Sequence, residues 1–181
     1  AIAAGGSPAQ KALWLPKLAC GEVVAACAGT HELEANGNKL SGRFEFVAHG
    51  GIANMFVLGD DRGAWIVSTS AAGLTIDKHT TMDQTRPFAT LTLDNVSGEP
   101  LSDGPAAMQA ARDAGWLCIS AEALGGAQAA LDRTISYAKE RVQFGRVIGS
   151  FQAYKHRLAD MMIEIEQARS AVYWAACAVD E

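Results

Sequence analysis

Residues 40–48 alternate between two faces. Leu40, Gly42, Phe44, Phe46 and Ala48 lie on one side, and Ser41, Arg43, Glu45 and Val47 on the other. A period of two predicts a strand with one mostly polar face. Gly50-Gly51 makes a turn. Residues 52–58 and 64–69 predict two more strands, joined by the turn Gly59-Asp60-Asp61-Arg62-Gly63. Residues 88–94 alternate again, with Leu91 and Leu93 opposite Thr90 and Thr92. Several short strands at this spacing point to an antiparallel barrel or sandwich. Ahead of them, Ser7 and Pro8 read as an N-cap and a first helical position, opening a helix that Pro16 ends near Leu15.

The pattern changes near residue 102. Ser102 or Asp103 caps a long helix with Pro105 in its first turn, running to about Glu140. Met108, Ala111, Leu117, Leu124, Leu131 and Ile135 recur at near-heptad spacing. Residues 121–130 are almost all small, and include Gly125 and Gly126. Adjacent glycines cost roughly 1 kcal/mol each in a helix interior, which suits either close approach of another helix or cofactor, or a kink. Residues 141–149 break the pattern. Ser150 then caps a second helix, with Phe151, Tyr154, Leu158, Met161, Met162, Ile165, Ala168, Val172, Ala176 and Val179 on its apolar face. A short connection predicts an antiparallel pair, and two helices cannot bury their own faces, so further helices are implied.

Composition adds exclusions. The 181 residues are 49% apolar and 19% charged with net charge −5, an ordinary globular balance without a basic stripe for nucleic acid. No apolar run reaches membrane-spanning length, and residues 1–6 lack the pattern of a signal peptide. Cys20, Cys27, Cys118 and Cys177 have no CxxC spacing, so reduced, buried thiols in a cytoplasmic protein are expected. His31, His49, His79 and His156 are scattered without ligand spacing, so no metal site is expected. Both ends read as cut through larger elements, as in a fragment of a longer protein.

One long motif stands above these patterns. It comprises Ala127-Gln128-Ala129-Ala130-Leu131-Asp132, Tyr137-Ala138, Arg141-Val142-Gln143-Phe144-Gly145, Ile148, Phe151-Gln152 and Leu158-Ala159-Asp160-Met161. It resembles the signature of the flavin-dependent acyl-CoA dehydrogenases in order, spacing and residue type. Ala9-Gln10 with residues 14–22 (WLPKLACGE), and Leu40-Ser41-Gly42 through Gly50-Gly51-Ile52-Ala53, are similar to two further stretches of that family. The resemblance implies an α+β chain. Residues 1–22 would end an N-terminal helical domain, 23–101 would form a middle β-barrel or sandwich domain, and 102–181 would be the first two helices of an up-down C-terminal bundle. It also implies FAD, an acyl-CoA substrate, a tetramer built on the bundle, and re-oxidation by an electron-transfer flavoprotein.

In the family, the positions of Arg141, Phe144 and Gln152 reach a neighbouring subunit's FAD. Their chemistry suits this. A guanidinium offers forked donors to a pyrophosphate, an aromatic ring packs on an apolar part, and an amide donates and accepts. Read without the family, the three are a cation at a helix C-terminus, a loop-to-core contact and a first-turn amide.

The chain also departs from the family. Residues 25–32 (AACAGTHE) lack the acidic-proline-glycine loop that contacts the flavin, leaving Thr30 as a remnant. The family's W-I-T-N-G strand reads Phe46-Val47-Ala48-His49-Gly50, so Ala48 replaces a threonine hydroxyl. The family's catalytic Glu, where it lies on the first bundle helix, falls at Gly115, and the Arg beside it at Trp116, a candidate substrate-pocket residue. No catalytic base is visible, and Glu122 is not taken as one. An intact half-site for a neighbour beside an eroded pocket suits a subunit of the heteromeric α2β2 enzymes of bacterial steroid side-chain degradation. The expected activity is FAD-dependent α,β-dehydrogenation of an acyl-CoA. The alternatives are a non-catalytic subunit completing a partner's FAD site and an acyl-CoA oxidase-like flavoenzyme.

Overall fold

The computed structural model describes residues 1–180, the last by its backbone. It forms two compact units, the first spanning Ala1–Arg112 and the second beginning at Asp113.

The first unit carries the helices α1 (Ile2–Gly5) and α2 (Pro8–Ala19). Eight strands follow: β1 (Ala25–Gly29), β2 (Glu34–Asn36), β3 (Lys39–Ala48), β4 (Met55–Gly59), β5 (Ala64–Ser68), β6 (Leu74–Lys78), β7 (Phe88–Ser97) and β8 (Glu99–Pro100). They make two four-stranded sheets, β1-β4-β5-β8 and β2-β3-β7-β6. The pairing is antiparallel except between β1 and β4, which run parallel, so the expected antiparallel sandwich is a mixed one. Phe44, Leu40, Leu91 and Val96 of one sheet share a core with Phe56, Leu58 and Val67 of the other.

The first sheet is covered on both faces. Met55, Val57, Ala64 and Ile66 pack with Ile2, Trp14, Leu15, Leu18 and Met108 on the side away from the sandwich core. Every residue of β4 is therefore buried, and its sequence reads as a continuous apolar run rather than an alternation. The strand starts at Met55, not residue 52, because residues 51–52 complete a turn in which Ile52 and Ala53 N–H groups donate to His49 O.

Helix α2 begins at the expected cap. Ser7 Oγ accepts from Gln10 N (3.2 Å) and Gln10 Oε1 accepts from Ser7 N (2.9 Å), a reciprocal capping box. Gln10 Nε2 donates to Glu99 Oε1 (2.7 Å) and Pro100 O (3.0 Å), tying the helix to β8. The helix does not stop at Pro16 but continues to Ala19. Proline removes one N–H from the ladder, while Pro16 O still accepts from Cys20 N (3.0 Å) and Leu18 stays packed against the sheet.

Two irregularities shape the second sheet. Between the pairs Phe44↔Leu91 and Val47↔Ala89, β3 has one residue more than β7, and Phe46 sits there at φ +52°. Between Leu40↔Val96 and Gly42↔Leu93 the extra residue is on β7, with Asn95 at φ +53°. The first bulge overturns the simple alternation predicted for β3. Val47 turns into the core at 2% exposure and Phe46 turns out at 65%.

The β4–β5 turn is built on Asp60. Its carboxylate accepts from Arg62 N (2.8 Å), Arg62 Nε (2.8 Å) and Gly63 N (3.1 Å), with its side chain only 5% exposed. Burial pushes its pKa upward, but the hydrogen bonds from Arg62 and Gly63 and the Arg62 charge outweigh it and hold the carboxyl below the ordinary range. A lowered folded pKa stabilises the fold above the unfolded pKa and loses that effect as pH falls through the folded value. The stability gap between the parent and Asp60→Asn, followed by thermal melts, is thus expected to be full at neutral pH and to shrink below about pH 4.

Helix α3 (Gly104–Glu140) is capped by Asp103, whose Oδ1 accepts from Ala106 N (3.0 Å). In the second unit it is followed by β9 (Val142–Gln143), β10 (Arg146–Val147), a 3-10 turn at Ile148–Ser150, and α4 (Gln152–Asp180). Ser150 does not cap α4. Its hydroxyl donates back to Val147 O (2.7 Å), and Phe151 O accepts the first helical bonds. The two helices lie antiparallel, with Gly149 against Ala138 and Arg169 Nη2 donating to Gln128 Oε1 (2.7 Å). Leu131, Ala138 and Ile165 are buried, while Trp116, Met162, Tyr173 and Trp174 remain more than half exposed. All four cysteines are exposed rather than buried. Cys20 caps the end of α2, Cys27 lies on the edge strand β1, and Cys118 and Cys177 lie on α3 and α4. No helix among the described residues is long and apolar enough to cross a membrane.

Candidate functional site

Arg141 leaves α3 with its N–H still donating to Tyr137 O (2.9 Å), and its carbonyl accepts from Ile148 N (2.8 Å). This closes a hairpin in which Arg146 pairs with Gln143 and Val147 with Val142. The two-residue loop is Phe144-Gly145, at φ +54° and +74°. Two consecutive left-handed residues are the requirement of a type I′ hairpin turn, which favours Asn-Gly or Asp-Gly. Gly145 meets it without strain. Phe144 does not, since a left-handed conformation costs a side-chain-bearing residue roughly 1–2 kcal/mol.

The strain at Phe144 is not repaid by burial, because its ring is 92% exposed. It forms a T-shaped pair with Phe151, with centroids 6.2 Å apart and planes at 89°. The Arg146 guanidinium sits 3.9 Å over the Phe151 ring, steadying the base of the hairpin. A bulky residue kept at such φ and offered to solvent is a conformational outlier, which makes Phe144 a candidate position for function. Phe144→Asn is accordingly expected to raise stability by about 1 kcal/mol, read as a higher thermal midpoint, while weakening whatever the ring contacts.

The structure brings Arg141, Phe144 and Gln152 onto one exposed feature: the root of the hairpin, its tip, and the first residue of α4. Trp116 lies elsewhere. It is 25 residues up α3 from Arg141, roughly 37 Å along a helix. There it lines a groove of about 380 Å³ with Leu117, Val172, Ala175 and Val179. Trp116 and the hairpin therefore lie far apart along α3. A Cβ added at Gly115, next to Trp116, would meet nothing within 4 Å.

The first unit has its own strained aromatic. Phe46, pushed out by the bulge in β3, meets His79 edge-on with centroids 5.3 Å apart and planes at 86°. Ala48 and His49 follow it, exposed, the latter at φ +58°. Thr30 spends its hydroxyl locally, accepting from Glu32 N (3.2 Å). The alternation of residues 40–48 conceals this arrangement. Its only sequence signal is a large aromatic two residues before Ala48 in the family-like strand. The Arg146–Phe151 stack also carries no separate signal in the chain. Among the described residues, no cluster of His, Cys, Asp or Glu is placed to hold a metal ion.

A family profile described as "Acyl-CoA dehydrogenase, C-terminal domain" matches residues 102–181. Acyl-CoA dehydrogenase IpdE2 of Mycolicibacterium smegmatis is 38% identical over 131 residues, covering 71% of this chain and 38% of that protein. The short-chain specific acyl-CoA dehydrogenase of Megasphaera elsdenii is 34% identical over 171 residues, covering 84% of this chain and 43% of that protein. The chain belongs to the acyl-CoA dehydrogenase family. Its fold is shared with a solved structure of PigA with FAD and proline, at 25% identity and a TM-score of 0.87 over 97% of this chain and 54% of that one. The chain spans about half or less of the length of these relatives. Within the family framework, the sandwich carries Phe46 and the helix pair carries both the hairpin and the Trp116 groove.

Proposed function

We propose that this chain is a subunit of an FAD-dependent acyl-CoA dehydrogenase and that its hairpin completes the FAD site of a neighbouring subunit. The observation carrying this reading is Phe144, a strained ring at 92% exposure on the hairpin that Arg141 opens. A ring that stays exposed at the tip of a hairpin suits a site supplied by another subunit.

The residues present fit such a cofactor. Arg141 offers a fixed positive charge and forked donors to a pyrophosphate. Phe144 supplies an apolar face, Gln152 an amide that donates and accepts, and Gly145 a backbone without Cβ hindrance. Bound FAD would supply the hydride acceptor for α,β-dehydrogenation of an acyl-CoA thioester. The residues of this chain would bind and orient; proton removal from the substrate needs a carboxylate, and Gly115 leaves none at that point of α3.

Ala48 without a hydroxyl, Gly115 without a carboxylate and Trp116 in place of a guanidinium favour a heteromeric assembly in which a second chain type provides the base. Electron-transfer flavoprotein is the proposed electron acceptor. The test is anaerobic titration of the native assembly with short- and long-chain acyl-CoA thioesters. Bleaching of the visible flavin band is expected, and a flavin band unmoved by every thioester would sink the dehydrogenase reading. Rapid re-oxidation of the bleached flavin by oxygen would point to the oxidase alternative.

A further inference from the structure

The hairpin carries a second guanidinium that the reading of Arg141, Phe144 and Gln152 leaves unused. In its ribbon Val142 pairs with Val147 and Gln143 with Arg146. Ile148 N donates to Arg141 O (2.8 Å), which continues the register by one pair. Side chains alternate along a strand, and directly paired residues share a face. Arg141, Gln143, Arg146 and Ile148 therefore fall on one face of the ribbon, and Val142 and Val147 on the other. Arg141 and Arg146 are diagonal neighbours there, roughly 7–8 Å apart, a gap that two long side chains can close.

The Arg146 guanidinium lies 3.9 Å over the Phe151 ring. Such a contact engages the cation through its charge and takes none of its five N–H donors. Neither Arg141 nor Arg146 makes a side-chain hydrogen bond or an ion pair among the described residues, and both are exposed. Phe151 is itself tied down. Its N–H donates to Ile148 O (3.1 Å), and its carbonyl accepts from Tyr154 N (3.1 Å) and Lys155 N (3.2 Å) at the start of α4. A guanidinium held in place with its donors unspent is preorganised for an oxyanion. The surroundings are cationic as well. Residues 133–157 contain six Lys and Arg against one acid, Glu140, in a chain of net charge −5.

We propose that Arg146 is a second anion-binding residue of the hairpin: Phe151 holds its guanidinium beside that of Arg141, and the two clamp a nucleotide pyrophosphate, one cation to each phosphate. Phe151 is then a positioning residue that acts through Arg146. The choice of ligand rests on the flavin reading above, because FAD brings a pyrophosphate to the hairpin. Coenzyme A carries the same group, and the test separates the two sources.

The native assembly, stripped of flavin, is titrated separately with FAD and with coenzyme A at low and raised salt. Arg146→Gln is expected to weaken FAD binding about five- to fiftyfold and to flatten its decline with salt, since one exposed charge facing the ligand is gone. Arg146→Lys keeps the charge without the planar fork and should fall between. Phe151→Leu is expected to weaken FAD binding about two- to fivefold, and Phe151→Tyr, which keeps a ring, to match the parent. In the Arg146→Gln background most of the Phe151→Leu loss should vanish, because nothing is left to position. An equal loss in both backgrounds is what a merely structural ring would give, and it overturns the role of Phe151. If Arg146→Gln binds both ligands like the parent, the clamp is overturned. Should Arg141→Gln still weaken FAD binding in that case, the flavin reading survives. A loss of coenzyme A affinity with FAD affinity unchanged supports the clamp, gives it to the substrate and removes the flavin from the hairpin. If the parent binds no FAD, the flavin reading fails and the coenzyme A titration alone decides the clamp.

Discussion

Arg141→Gln is expected to weaken FAD binding to the native assembly by about ten- to a hundredfold, the scale of losing hydrogen bonds to a charged group. The fold should hardly notice. Arg141 contributes to the hairpin through its backbone, which donates to Tyr137 O and accepts from Ile148 N, and glutamine keeps both bonds. The side chain is exposed, so no buried charge is left unpaired. Arg141→Lys separates charge from shape: an ammonium retains the attraction to phosphate but not the planar fork. It should fall between the parent and the glutamine variant. FAD titration and a thermal melt on the same samples check the prediction. A glutamine variant that binds FAD like the parent would place the guanidinium outside the cofactor site.

Phe44→Ala has the largest expected effect on stability, about 3–5 kcal/mol, from lost burial and the cavity left behind. Phe44 is 1% exposed and shares the inter-sheet core with Leu40, Phe56, Leu58 and Leu91. Domains of this kind have roughly 5–15 kcal/mol in total, so the loss takes a large share. The same substitution two residues later is expected to behave differently. Phe46→Ala removes an exposed ring from a strained position, so stability should change little. Denaturant unfolding of both variants tests the pair, and equal destabilisation would contradict the inward–outward division that the bulge creates.

That pair also shows where the sequence is readable. A period-two pattern carries the existence of β3 and the inward face of Leu40 and Phe44. It cannot carry the bulge, because the register change depends on where β7 pairs with β3, a contact about fifty residues away. The exposure of Phe46 and the burial of Val47 are thus invisible in the local pattern. Strands β1 and β6 escape for a related reason. Ala25–Gly29 is short and made of small residues, and Leu74–Lys78 carries only two large apolar side chains. Both are strands because of their partners β4 and β7.

The helices are more legible because their signals are local. The Ser7–Gln10 capping box and the Asp103 cap can be read from short spacings, since the hydrogen bonds they make span only three residues. Pro16 misleads because packing of Leu15 and Leu18 against the first sheet outweighs one missing backbone bond. At the candidate site, the motif identifies Arg141, Phe144 and Gln152, whereas the left-handed Phe144 and its turn type emerge only from the hairpin register. The separation of Trp116 from the hairpin follows from helix geometry once α3 is seen to be unbroken through Gly125 and Gly126.

The most direct measurement is native mass spectrometry of the purified assembly, counting chain types and bound flavin together. The account predicts two different chains with one FAD for each pair, this chain's hairpin serving its partner's cofactor. A single chain type carrying one FAD per subunit, with full activity, would contradict the heteromeric account and return Ala48, Gly115 and Trp116 to the class of tolerated substitutions.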